Sequence, residues 1–214
     1  MIELIIDTSL DLGIIALAEK GRLIDSTIFP ASFAASKLLL KSCHDLLAKN
    51  GLTPKNLTAI GAGVGPGSYT GIRLSASFAK GIALALNIPL VGVSTLRSLL
   101  PLEVSSQPIL LVIDAKIGGV YAILAKDGAF LTQEALLSDS ELLLLIGAHH
   151  PQIFTPTLKA VQARLPQMDV QQRYPSPQQM VSLFEKALSE KNYSLDGTLP
   201  LLYLRKTQAE IEKE

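Results

Sequence analysis

Apolar and polar positions divide this chain into short strands and helices. Residues 2–6 form a β-rich run that ends at Asp7-Thr8-Ser9, where polar groups gather at a turn. Gly13 to Ala18 is a second apolar run, Lys20-Gly21 marks a hairpin turn, and Leu23 to Phe29 supplies a third strand. A helix is expected from Ser32, a good N-cap, to the C-cap pair Asn50-Gly51. Residues 58–64 read as a buried strand, followed by a glycine-rich loop and a helix from about Tyr69 to Leu86. Leu90 to Val93 is a short strand, and a helix capped by Ser94 or Thr95 should come next.

The pattern restarts at Pro108. Ile109 to Ile113 ends at Asp114 as the first strand ends at Asp7, Gly119 to Ala125 is the second run, Asp127-Gly128 the turn, and Ala129 to Leu136 the third strand. Asp7 to Asp114 and Gly21 to Gly128 share one offset of 107 residues, which points to an internal duplication. Helix-prone segments at 138–147 and 157–165 flank a candidate strand, Gln152 to Thr155. Pro166, Pro175 and Pro177 then break the regularity before a helix over 178–190, an apolar segment Pro200 to Arg205, and a polar tail expected to fray.

A β-β-β-α-β-α unit run twice predicts an α/β protein of two domains with mixed sheets, residues 1–105 and a smaller, less regular 106–214. That order matches the actin, sugar-kinase and heat-shock ATPase superfamily (ASKHA, RNase H-like), in which the turn after the first strand holds phosphates. Asp7, Thr8 and Ser9 are on that basis candidates for weak phosphate binding, set against a structural Asx turn.

Composition narrows the class. Apolar residues make up 48% of 214 and charged residues 18%, enough to bury substantial cores. Nineteen basic residues balance nineteen acidic ones, so no global charge announces a nucleic-acid or membrane partner. The N-terminus lacks a basic leader region and the longest apolar runs are too short to span a bilayer, so a cytoplasmic protein is expected. The single Cys43 permits no disulfide within the chain.

The densest feature is the run from Gly61 to Leu86. Gly61, Gly63, Gly65 and Gly67 open it, and Ser75, Ala76, Ser77, Ala79, Gly81, Ala83 and Ala85 fill its helix. A Walker loop requires Gly-Lys-Ser/Thr, and here Gly67 is followed by Ser-Tyr-Thr-Gly71-Ile-Arg. The dinucleotide fingerprint fails too, because Gly71 falls one residue beyond the third glycine position. Gly81 costs roughly 1 kcal/mol against alanine in a helix interior, which suggests a return in close approach to another helix. The Ser32 helix is also wide in its apolar coverage, with Phe33, Leu38, Leu39, Leu40, Cys43, Leu46 and Leu47, more than one sheet face needs.

Read together, Asp7-Thr-Ser9, Gly65-Pro-Gly-Ser-Tyr-Thr-Gly-Ile-Arg73, Ala79-Lys-Gly-Ile-Ala83, Val93-Ser-Thr-Leu96, Asp114-Ala-Lys116 with Val120-Tyr121, and Tyr203-Leu-Arg205 resemble the TsaB (YeaZ) family across nearly the whole chain. The resemblance implies an actin-like fold and a non-catalytic subunit. Such a subunit pairs with the TsaD transferase and recruits TsaE, in the threonylcarbamoylation of adenosine 37 of ANN-decoding tRNAs. It also implies that the helices at 32–49 and 69–86 face TsaD, which assigns partner contact to Phe33, Leu39, Cys43, Tyr69, Arg73, Ala76, Lys80 and Ala83. ATP, ADP and metal are then expected on the partner subunits and none held tightly here, tRNA is met through the complex, and a homodimer can form on the same helices. The chain departs from the family pattern at Ala34, Leu40, Lys116, Phe154 to Thr157 and the doubled Leu201-Leu202.

Catalytic alternatives have thin support in the residues. The histidines are His44, His149 and His150, with no metal-ligand spacing, and Cys43 has no histidine one helical turn away. Asp7 and Asp114 are what a stand-alone ATPase or sugar kinase of this superfamily would use. A protease acting on its paralogue would need a triad that the residues do not supply.

Overall fold

The computed structural model describes residues 1–31 and 35–204. The Ser32 cap, Phe33, Arg205 and the polar tail lie outside the described residues.

Strands β1 (Ile2–Asp7), β2 (Leu12–Glu19) and β3 (Arg22–Pro30) form an antiparallel meander, with Lys20 and Gly21 both at positive φ in the turn. Helix α1 (Ala35–Lys49), strand β4 (Leu57–Gly63), helix α2 (Tyr69–Leu86) and strand β5 (Leu90–Val93) complete a five-stranded mixed sheet in the order β3-β2-β1-β4-β5. The second sheet contains β6 (Ile109–Asp114), β7 (Val120–Lys126), β8 (Ala129–Phe130), β9 (Ala135–Leu137), β10 (Gln152–Thr155) and β11 (Val170–Gln172). Its order β8-β7-β6-β10-β11 repeats the first sheet strand for strand, as the offset of the landmarks predicts. Helices α3 (Asp139–His149) and α4 (Leu158–Arg164) pack Leu142, Ile146 and Val161 on one face of this sheet. Together these features make the chain an actin-like α/β protein of two units.

The β1 alternation explains the layering of the first unit. Leu4 and Ile6 face α1 and α2 through Leu39, Cys43, Leu46, Leu47, Ala79 and Ala83. Ile5 faces the opposite way, into a second core formed with Ile14, Ala16, Val91 and Val93 and closed by Met180, Val181 and Phe184 of helix α5 (Pro177–Ser189). The sheet therefore carries helices on both faces.

This closure changes the expected boundaries. Among the described residues the two compact units are 1–98 with 175–201, and 99–174 with 202–204, instead of a division at 105/106. The physical reason is that β2, β4 and β5 expose an apolar face that no N-terminal element covers, so the chain returns α5 to bury it. Two local expectations also change. Ser94 caps only a 3₁₀ turn, Arg97–Leu99, with Arg97 N–H donating to Ser94 Oγ at 3.0 Å. The third strand of the second meander is broken into β8 and β9, and β11 was not foreseen in so short and polar a segment as Val170–Gln172.

Phe184 is fully buried in the second core of the first unit. Phe184→Ala is expected to cost about 3–5 kcal/mol and to speed amide exchange in β1, β2 and β5. Loss of protection in β6 and β7 with β1, β2 and β5 unchanged would contradict the assignment of α5.

Candidate functional site

The root of α2 is a knot of close backbone contacts. The loop leaves β4, turns through the cis Gly65–Pro66 bond and enters the helix at its N-cap Ser68, whose hydroxyl accepts from Gly71 N–H at 3.3 Å. Ser68 N–H donates to Ser9 C=O at 2.7 Å, Thr8 Oγ1 donates to Gly71 C=O at 2.7 Å, and Ser75 Oγ donates to Gly63 C=O at 3.0 Å. A Cβ on Gly67 would collide with the Ser9 carbonyl, and one on Gly71 with the Thr8 carbonyl. The glycines thus serve to lay the helix root against the turn that ends β1.

This contact redefines Asp7, Thr8 and Ser9. All three are at most 3% exposed. Asp7 Oδ1 accepts from Ser9 N–H at 2.8 Å and Oδ2 from Thr95 Oγ1 at 2.7 Å, while Thr95 N–H donates to Gly65 C=O at 2.9 Å. Burial pushes the Asp7 carboxyl above its ordinary range, against the pull of its hydrogen bonds from Ser9 and Thr95. The expected weak phosphate site is corrected accordingly: the turn is an Asx turn buried under the glycine loop, with the Thr8 hydroxyl and the Ser9 amide donating to protein acceptors. The same step in the second unit is filled differently. Asp114 Oδ1 accepts from Arg164 Nε and pairs with its terminal nitrogen, both at 3.1 Å, and Arg164 reaches Asp139 at 2.8 Å. Cys43 is buried in the core, and desolvation pushes its thiol up to about 12, far from a thiolate at neutral pH. His44 sits on the exposed side of α1, 3.4 Å from Asp45.

The two helices assigned to partner contact divide unequally. Ile72, Ala76, Ala79 and Ala83 recur at helical spacing and form the buried face of α2. Leu39 and Cys43 occupy the same position on α1. Leu39, Cys43, Ala76 and Ala83 are therefore corrected from partner contacts to core residues. Tyr69 is half-buried, Arg73 and Lys80 are exposed, and the Arg73 guanidinium lies 5.7 Å from the Tyr69 ring centre.

On the outer face of α2 the small residues are Ser77, Gly81 and Ala85, spaced by four, all exposed. A Cβ on Gly81 would meet nothing within 4 Å. Leu84 beside them is 50% exposed, and Leu40 on α1 is 63% exposed. One flank is supported by the segment after α5, where Gly197 lies against the Lys80 and Leu84 side chains. Sequence reasoning named Gly81 for close approach to another helix but did not separate this face from the buried one, since alanines at 76, 79 and 83 are as small as the residues at 77, 81 and 85.

The comparisons agree with this architecture. A family model described as TsaD: tRNA N6-adenosine threonylcarbamoyltransferase matches residues 30–171. The chain is 35% identical over 86 residues to the tRNA threonylcarbamoyladenosine biosynthesis protein TsaB of Escherichia coli K12, covering 39% of this chain and 37% of that protein. It is 33% identical to the TsaB of Buchnera aphidicola subsp. Schizaphis graminum over 145 residues, 64% of each chain. The solved structure of YeaZ from Pseudomonas aeruginosa superposes with a TM-score of 0.80 at 25% identity, covering 95% of this chain and 99% of that one. The chain belongs to the family of this model, and its relatives place it in the TsaB/YeaZ branch. The matched stretches span 37% and 64% of the lengths of those two curated relatives.

Two glycines of α2 should respond oppositely to one methyl group. Gly71→Ala is expected to destabilise the chain by more than about 3 kcal/mol, because backbone must move. Gly81→Ala, in open space, should stabilise it by about 0.5–1 kcal/mol. Urea titrations giving the two substitutions the same sign would refute the close-contact reading.

Proposed function

We propose that this chain is a non-catalytic scaffold subunit in the threonylcarbamoylation of adenosine 37 of ANN-decoding tRNAs. It pairs with a TsaD-type transferase through the outer faces of α2 and α1. The observation that carries this reading is the outward stripe Ser77, Gly81 and Ala85 on a helix whose root is fixed by the glycine knot. Small side chains let a second helix approach closely, Leu84 and Leu40 supply exposed apolar area beside the close contact, and Tyr69, Arg73 and Lys80 provide a polar margin. A rigid root matters because docking then orders few new groups.

The internal chemistry supports the same division of labour. Asp7 and Asp114, the two acids a kinase-like enzyme would use, are held by protein donors, and Cys43 is a packing residue. Nucleotide and metal belong to the partner subunits in this reading, TsaE joins through the assembly, and tRNA is met by the complex. In the absence of the transferase a second copy of the chain takes the same face. The setting is the cytoplasm. Among the described residues no helix is long and apolar enough to cross a membrane.

The test is a bulky charge on the open face. Gly81→Arg should leave the melting temperature within a few degrees and weaken pairing with the transferase of the same source by at least about a hundredfold, read by native mass spectrometry and titration. Ala83→Arg, pointing into the core, should instead unfold the chain. Undiminished pairing by folded Gly81→Arg would exclude this face.

A further inference from the structure

Apart from the docking face, the first unit holds a pair of acids with no evident catalytic or packing purpose. Glu3 lies in β1 on the same side as Ile5, facing α5, and is 0% exposed. Its Oε1 accepts from the Lys20 N–H of the β2–β3 turn at 3.2 Å. Glu185 follows Phe184 on α5, and its Cγ is held 2.9 Å from where a Cβ on Gly21 of that turn would stand. Glu3 Oε2 and Glu185 Oε1 are both shielded from solvent and without a hydrogen-bond partner. Two shielded carboxylate acceptors leave each other unsatisfied and repel, whereas one proton between them turns one acid into the donor the other lacks.

We propose that Glu3 and Glu185 share one proton between β1 and α5, and that loss of this proton loosens α5 from the first sheet. The groups acting on Glu3 are few. Burial and then the Glu185 charge raise its carboxyl above the ordinary range, while the Gly21 and Lys20 amides and the Met1 amine pull it down. Lys186, the next residue of α5, points instead to Glu190 at 3.9 Å. A carboxyl raised in the closed state binds its proton more tightly there than when α5 is detached. The clamp is therefore fully formed at and below the ordinary glutamate range and is lost as pH rises through the raised value. Across that window the opening constant grows about tenfold per pH unit for one proton released. This pH sensitivity is independent of which partner covers α2.

Hydrogen exchange of the α5 peptide in the full chain tests it, measured from pH 5 to 8 and corrected for intrinsic exchange. The wild-type chain should show an α5 opening constant that rises about tenfold per pH unit over part of this range. Glu3→Gln keeps the Oε1 acceptor for Lys20 and offers Glu185 a permanent donor, so its corrected profile should be flat. Glu185→Gln, at a half-buried position that tolerates change, removes the neighbouring charge but leaves Glu3 buried, so its rise should level off at lower pH than in the wild type; this decides the matter if Glu3→Gln does not fold. Asp7 is present in all three chains, so its own titration cancels in the comparison. A flat wild-type profile, or a wild-type profile reproduced unchanged by both variants, overturns the shared proton.

Discussion

The contact between the Thr8 and Ser9 carbonyls and the glycines at the root of α2 is the constraint on which the first unit depends. It brings a helix N-terminus against the end of a neighbouring strand at a distance no side chain permits. Four consequences follow from it in space. Ser68 caps the helix, Thr8 binds its first turn, Ser75 ties back to β4, and Asp7 is enclosed with Thr95 at the end of β5. The direction of α2, and with it the choice of which face looks outward, is set by these few atoms.

The same contact closes the turn at the end of β1. Where actin-like folds hold phosphates, the turn after β1 here spends the Thr8 hydroxyl on Gly71 C=O, the Ser9 amide on Asp7 and the Asp7 carboxylate on the Thr95 hydroxyl. In the second unit Arg164 neutralises the corresponding acid, Asp114. The two halves share sheet order and landmark acids yet stabilise those acids by different means, one by burial among hydroxyls and amides and one by an ion pair.

Much of the framework was legible in the chain because it rests on local rules. The strand and helix periods, the Lys20-Gly21 and Asp127-Gly128 turns, and the repeated Asp and Gly landmarks all act over a few residues. What was not legible depends on distant partners. Nothing in residues 178–190 says that α5 returns to cover Ile5, Ile14 and Val91, because its amphipathic face would fit either sheet. Four of the expected partner contacts, Leu39, Cys43, Ala76 and Ala83, lie in the core instead. Small residues lie all round α2, so composition alone does not separate the buried Ala76, Ala79 and Ala83 from the open Ser77, Gly81 and Ala85. Asp7 reads as a ligand in the sequence because its cover comes from Gly63 and Thr95, dozens of residues away.

The central claim is that the outer faces of α2 and α1 are where this chain is met by its transferase partner. Hydroxyl-radical footprinting of the chain alone and in that complex reads it directly, since Leu84, Leu40 and Leu144 are each at least half exposed and report side-chain cover. The account predicts that oxidation of Leu84 and Leu40 falls severalfold in the complex while Leu144 of α3 is unchanged. Protection of Leu144 with Leu84 and Leu40 still open would contradict it.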